Sequence, residues 1–183
     1  MISIYREKGF SVFNRNLSKK SPLAVFCSAL GMVLLILFIL FCLPLTVPKL
    51  LGYEIYSVIS GSMEPAIPTG SLLYIQSCTP EEMKEEEIIA FYGGRDSNAI
   101  ITHRVVENRV LMGEFITKGD ANATEDRNPV PYGDFIGKVV RSVPYLGKAA
   151  LLLTTLYGKA AAAAMVVLAA LLHGIAGILN GKQ

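Results

Sequence analysis

The chain has no tryptophan and, in 183 residues, only three cysteines and two histidines. Cys27 and Cys42 lie inside an apolar run and Cys78 stands alone, which gives neither a disulfide framework nor metal-ligand spacing. All three read as small buried hydrophobes. His103 and His173 are too few for a multi-histidine zinc site, no phosphate-cradling glycine loop is present, and no metal or cofactor is expected. Charge is missing by region as well. Residues 21–48 carry none, and from 144 onward there are three lysines and no acid. Residues 51–143 hold eight bases and fourteen acids, a net of −6. A domain that binds nucleic acid would carry the opposite sign, so nucleic acid is excluded as a partner.

What the chain has in excess is apolar length, with a mean hydropathy of +0.45. The uncharged run at 21–48 exceeds the roughly 20 residues that cross a bilayer as a helix. It also exceeds the roughly 7–15 residue apolar region of a cleaved leader and lacks the small residues that would follow one, which makes it an uncleaved anchor. Five bases before it against Lys49 just after it put the N-terminus in the cytosol. A second uncharged run at 160–179, rich in Ala and Gly, suits close helix packing and would return the chain across the membrane. The expected organisation is a basic cytoplasmic tail at 1–20, an anchor helix at 21–48 and an extracytoplasmic β-rich domain at 49–147. A linker or membrane-proximal helix at 148–159, a second transmembrane helix at 160–179 and a short tail at 180–183 follow. His173 reads as part of a partly polar helix end rather than as a proton relay.

The middle region reads as β. Segments at 53–59, 71–76, 88–92, 99–106, 110–117 and 135–141 are short, rich in β-branched and aromatic residues, and mostly separated by Gly, Pro, Asn or Asp. Several short strands in about 90 residues favour a small barrel or sandwich. The acidic run at 81–87 reads as a solvated turn or a single helical turn. Asn122-Ala-Thr is a formal glycosylation sequon.

The rest is organised around SVISGSMEPAIPTG at 57–70. It is a strand-like run that turns on Gly61 and presents the hydroxyls of Ser60 and Ser62 on either side of it. A serine there stands clear of its backbone, but it is a poor nucleophile until a neighbouring base takes its proton. His103, in the β-like run IITHRVV, is the histidine outside the apolar runs and has a suitable intrinsic pKa. An imidazole base needs an acceptor to fix its tautomer. The loop KGDANATED supplies Asp120 and Asp126.

Taken in order, SGSMEP at 60–65, His103-Arg104, KGDAN at 118–122 with Asp126, and VPYLG at 143–147 resemble the successive boxes of type I signal peptidases. The resemblance runs over about 53–147 and is to the branch shared by the endoplasmic-reticulum enzyme, archaeal enzymes and a minority of Gram-positive bacterial ones. That branch has a histidine where the commoner bacterial branch has a lysine base. It implies a mainly β fold, a small barrel or sandwich flanked by N- and C-terminal transmembrane helices. It implies a membrane-bound serine endopeptidase that removes signal peptides after small residues. Ser62 matches the nucleophile, His103 the general base, and Asp120 and Asp126 the two acidic positions, one of which would orient His103. Ser60, with the Ser62 backbone N–H, matches the oxyanion hole, and Arg104 matches a structural position that pairs with an acid. Ile59, Met63 and Ile101 would line the pockets for the small side chains. The implied partners are signal-peptide-bearing preproteins and the lipid bilayer, with export machinery or partner subunits as further candidates. The implied place is the plasma membrane, multi-pass with the catalytic domain outside the cytoplasm, or the endoplasmic-reticulum membrane in a eukaryote. Two rivals remain: a LexA-like self-cleaving serine peptidase, which would use lysine, and a catalytically silent membrane scaffold, which would not need all four polar residues.

Overall fold

The computed structural model of the protein describes residues 21–94 and 99–181. The expected basic tail at 1–20 and the last residues of the C-terminal tail lie outside the described residues. Helix α1 spans Pro22–Leu50, with Pro22 in its first turn, where a missing N–H costs nothing. At 1.5 Å per residue its 29 residues reach about 43 Å, more than the roughly 30 Å hydrocarbon core of a bilayer. Helix α2 covers Leu146–Thr154 and α3 covers Leu156–Gly181. Both α1 and α3 are long and apolar enough to cross a membrane, and each keeps most of its surface open. They pack on each other through small residues. Ala24, Ala169 and Ala176 are buried, and a Cβ at Gly31 would lie 2.9 Å from the Ala169 carbonyl oxygen. Backbones approach this closely only where side chains are absent or minimal. The three cysteines, expected to be buried, are free and only half-buried. Two of them, Cys27 and Cys42, sit on α1, whose surface is mostly not covered by the rest of the protein.

Between the helices lies one curled antiparallel sheet of seven strands in the order β1-β2-β7-β3-β4-β5-β6. The strands are β1 Tyr53–Ser57, β2 Leu72–Gln76, β3 Ile88–Tyr92, β4 Ile100–Arg109, β5 Glu114–Lys118, β6 Val130–Pro131 and β7 Phe135–Val143. The sheet curls around two apolar clusters. One gathers Met83, Ile89, Phe91, Val105, Phe115 and Val130, with the centre of the Phe115 ring 4.8 Å from that of Tyr132 and 5.5 Å from that of Phe135, tilted against both. The other gathers Met63, Ile67, Leu73, Ile75 and Ala90. Met63 and Ile67 belong to the connection between β1 and β2, so their burial ties that connection to the core.

The strand expected at 110–117 begins only at Glu114. The N–H groups of Met112 and Gly113 turn back to the Arg109 carbonyl, and Gly113 takes φ +68°, so 110–113 closes the β4–β5 hairpin despite its apolar side chains. The acidic run expected as a turn holds a 3-10 turn, Pro80–Glu82, followed by loop. Tyr74 in β2 donates to the Pro44 carbonyl of α1 at 3.0 Å and fixes the sheet to the helix end.

Candidate active site

The β1–β2 connection carries Ser60 and Ser62 and is stapled at several points. Val58 N–H donates to the Ser71 carbonyl and Gly70 N–H to the Val58 carbonyl, closing its base. Inside, Ile67 N–H donates to Met63 O at 2.8 Å, with both side chains buried. Glu64 Oε1 accepts from the Thr69 N–H and hydroxyl at 3.1 and 2.8 Å, and these bonds hold the Glu64 carboxyl below its usual range. At the base, Lys148 N–H of α2 donates to the Gly70 carbonyl. Ser62, in the middle, is therefore presented by a braced loop.

His103 comes from β4, where pairing with Ile89 sets its register and the edge of the Phe91 ring covers one side. It is 8% exposed, which for a histidine requires its polar atoms to be matched. His103 Nδ1 lies 2.5 Å from Asp126 Oδ2. A carboxylate only accepts, so Nδ1 carries the proton and the lone pair is left on Nε2. The same carboxylate oxygen accepts from the Thr117 hydroxyl at 2.7 Å, and Asp126 N–H donates to the Thr117 carbonyl at 2.8 Å. Asp126 is thus held from both its backbone and its side chain.

The loop after β5 brings the Ser62 backbone and the His103 ring to one place. Ala121 N–H donates to the Ser62 carbonyl at 2.9 Å, and Asn122 N–H closes a tight turn on Gly119 O. Gly119 is the crossing point: a Cβ there would stand 2.6 Å from Ser62 O and 3.0 Å from His103 Nε2. Those two distances, 2.6 and 3.0 Å, bound the separation of the two atoms at 5.6 Å. Any side chain at 119 would wedge them apart.

Of the two aspartates, Asp126 meets His103. Asp120 instead takes Arg104 in a two-pronged pair, with Nε and Nη2 at 2.8 and 2.7 Å from its carboxylate oxygens. Arg104 Nη1 also donates to the Glu86 carbonyl at 2.6 Å. Its hydrogen bonds to Asp120 raise the Arg104 guanidinium above the ordinary arginine value. A cleft of about 340 Å³ runs up to Ser62, and its walls include Ile59, Ser60, Met63 and Ile101, the residues singled out from the sequence. Tyr56 lines it too, its hydroxyl pKa pushed up to about 12 by burial and by the hydrogen bond to Glu54. Thr117 and Gly119 were missed in the sequence reading. Thr117 is fully buried and its hydroxyl therefore needs a partner, but that burial is visible only in the structure. Among the described residues no group of three or more His, Cys, Asp or Glu side chains is arranged to hold a metal ion.

Over 87 residues, 45% of this chain and 44% of the other, the protein is 41% identical to signal peptidase I W of Bacillus subtilis. Its relatives are signal peptidases. It is 34% identical over 106 residues to the signal peptidase complex catalytic subunit SEC11 of Fusarium vanettenii, covering 53% of this chain and 62% of that one. With the human subunit SEC11C the identity is 35% over 101 residues, covering 49% and 52%. The chain spans about half the length of the curated relatives it matches. No protein-family model matches it. The relatives fall in the signal peptidase I W and SEC11 branch that the sequence boxes resemble.

Proposed function

We propose that this chain is a membrane-anchored serine endopeptidase that cleaves signal peptides from preproteins, with Ser62 as nucleophile, His103 as general base and Asp126 as the group that orients the base. The observation that carries the reading is the convergence at Gly119 of the Ser62 loop and a histidine whose Nδ1 is held by a carboxylate. Similarity to signal peptidases supports the substrate class.

Ser62 Oγ attacks the scissile carbonyl carbon and its proton passes to His103 Nε2. Asp126 stabilises the imidazolium, while the Ser62 N–H and the Ser60 hydroxyl receive the developing oxyanion. The tetrahedral species collapses, the C–N bond breaks, and the leaving amine takes the proton from His103. Water, deprotonated by the same imidazole, then releases the acyl group from Ser62. Small residues before the cut fill the cleft walled by Met63 and Ile101, with the substrate bound as an added strand.

The membrane reading assigns α1 and α3 to two crossings, with both helix ends away from the sheet on the cytoplasmic side and the sheet outside. Ser62 then stands about a dozen residues past the end of α1, at the surface where a preprotein's cut site emerges. Confining enzyme and substrate to that layer raises effective concentration. Ser62→Ala in the full chain, reconstituted in proteoliposomes, is expected to stay membrane-bound and to leave a model preprotein uncut. Wild-type cleavage by that variant removes the assignment.

A further inference from the structure

A second cleft, about 610 Å³, has Gly119 in its wall and has no part in the chemistry above. Its walls include Pro65, Arg104, Val106, Lys118, Gly119 and Asp120. The two clefts are joined by the same two segments. The β1–β2 connection lines the first with Val58 to Ser60, Ser62, Met63 and Ile67, and the second with Pro65 and Ala66. Strand β4 lines the first with Ile100, Ile101 and Thr102, passes His103, and enters the second at Arg104 and Val106. An extended peptide that places its residues before the cut in the first cleft and its carbonyl at Ser62 therefore lays the residues after the cut over the second.

The two clefts differ in chemistry. The first is mostly apolar and suits small uncharged side chains. The second carries four charged groups, of which Arg104 and Asp120 are engaged with each other. Arg104 and Asp120 neutralise each other at 2.7 Å, and Glu86, largely exposed, lies 3.9 Å from Arg104. Lys118 is the fourth, and its ammonium has no ion pair or hydrogen bond among the described residues. It is the last residue of β5, paired with Arg104 across the sheet and joined to the Gly119 crossing point, so its position is fixed even though its charge is unmatched. Resting on the peptidase reading above, we propose that this cleft is the subsite for the mature side of the substrate, and that Lys118 selects an acidic side chain among the first three residues after the cut.

The experiment uses the full chain in proteoliposomes and one model preprotein with Asp, Asn or Lys placed in turn at the first, second and third positions after the cut. Wild type is expected to favour Asp over Lys in kcat/KM by about two- to fivefold at one of those positions, the range of an exposed ion pair, and to lose the preference as salt rises. Lys118→Gln is expected to abolish the preference and Lys118→Glu to reverse it, a gain that misfolding would not produce. Wild-type cleavage that is blind to charge overturns the inference and leaves the peptidase reading standing, as does a preference that survives in both Lys118 variants. Failure of wild type to cut any of these preproteins removes the peptidase reading and the subsite with it.

Discussion

His103 and Arg104 are neighbours on β4, and each takes an aspartate from the same short loop, yet the two pairs do different work. The Arg104–Asp120 pair has two parallel hydrogen bonds and a third link to the Glu86 carbonyl, so both charges are satisfied and fixed. It fastens the loop to the sheet. The His103–Asp126 pair leaves one imidazole nitrogen uncommitted and turned toward the Gly119 crossing. A closed pair gives rigidity, and a pair with one free lone pair leaves a nitrogen that can accept a proton. Their adjacency matters because the first holds in place the loop that supplies the second.

Substitutions should separate the two pairs. The largest effect is expected from His103→Ala, which removes the proposed base: the rate constant for preprotein cleavage in a single-turnover assay falls by about 10³-fold or more at a temperature where the variant is folded. Arg104→Ala acts on the other pair. It leaves Asp120 half-buried without its cation, and the stability of the full chain in detergent is expected to drop by about 2–3 kcal/mol, read by chemical denaturation. Cleavage should return on cooling to the extent that the protein refolds. If Arg104→Ala instead stayed fully stable and lost turnover, the division between the pairs would be wrong.

A third ion pair, which takes no part in the proposed chemistry, serves as the reference. Glu87 Oε1 meets Lys138 Nζ at 2.5 Å, and its hydrogen bonds to Lys138 and to the Lys84 N–H hold the Glu87 carboxyl below its usual range. A carboxyl with a lowered folded-state pKa adds stability above the ordinary carboxylate pKa and loses it as pH falls through the lowered value. Glu87→Gln is therefore expected to cost at most about 1 kcal/mol at neutral pH. The cost should vanish in acid, with no change in cleavage rate at a pH where both proteins are folded. Denaturation midpoints for wild type and variant against pH provide the check.

Much of this site was legible in the sequence because its parts sit in local patterns. Ser62 lies on a glycine turn after a β run, and His103 lies in a run whose β-branched residues mark a strand. The choice between Asp120 and Asp126 was not legible. It depends on the loop doubling back, with Ala121 bonded to Ser62 and Asp126 bonded to Thr117, and those are contacts between elements that no local propensity encodes. The hairpin at 110–113 was hidden for a related reason, since Val110, Leu111 and Met112 look like strand residues and the turn is decided by Gly113. The second cleft was equally invisible, because Pro65, Arg104 and Lys118 come from three separate stretches of the chain.

The central claim is that Asp126 serves the base while Asp120 serves the fold. It is tested most directly by single-turnover cleavage of one preprotein by Asp126→Asn and Asp120→Asn in proteoliposomes, at a temperature where both variants are folded. The account predicts that Asp126→Asn slows cleavage by about 10²–10⁴-fold while Asp120→Asn stays within about tenfold of wild type. Cleavage near the wild-type rate by Asp126→Asn, or the larger loss in Asp120→Asn, would contradict it.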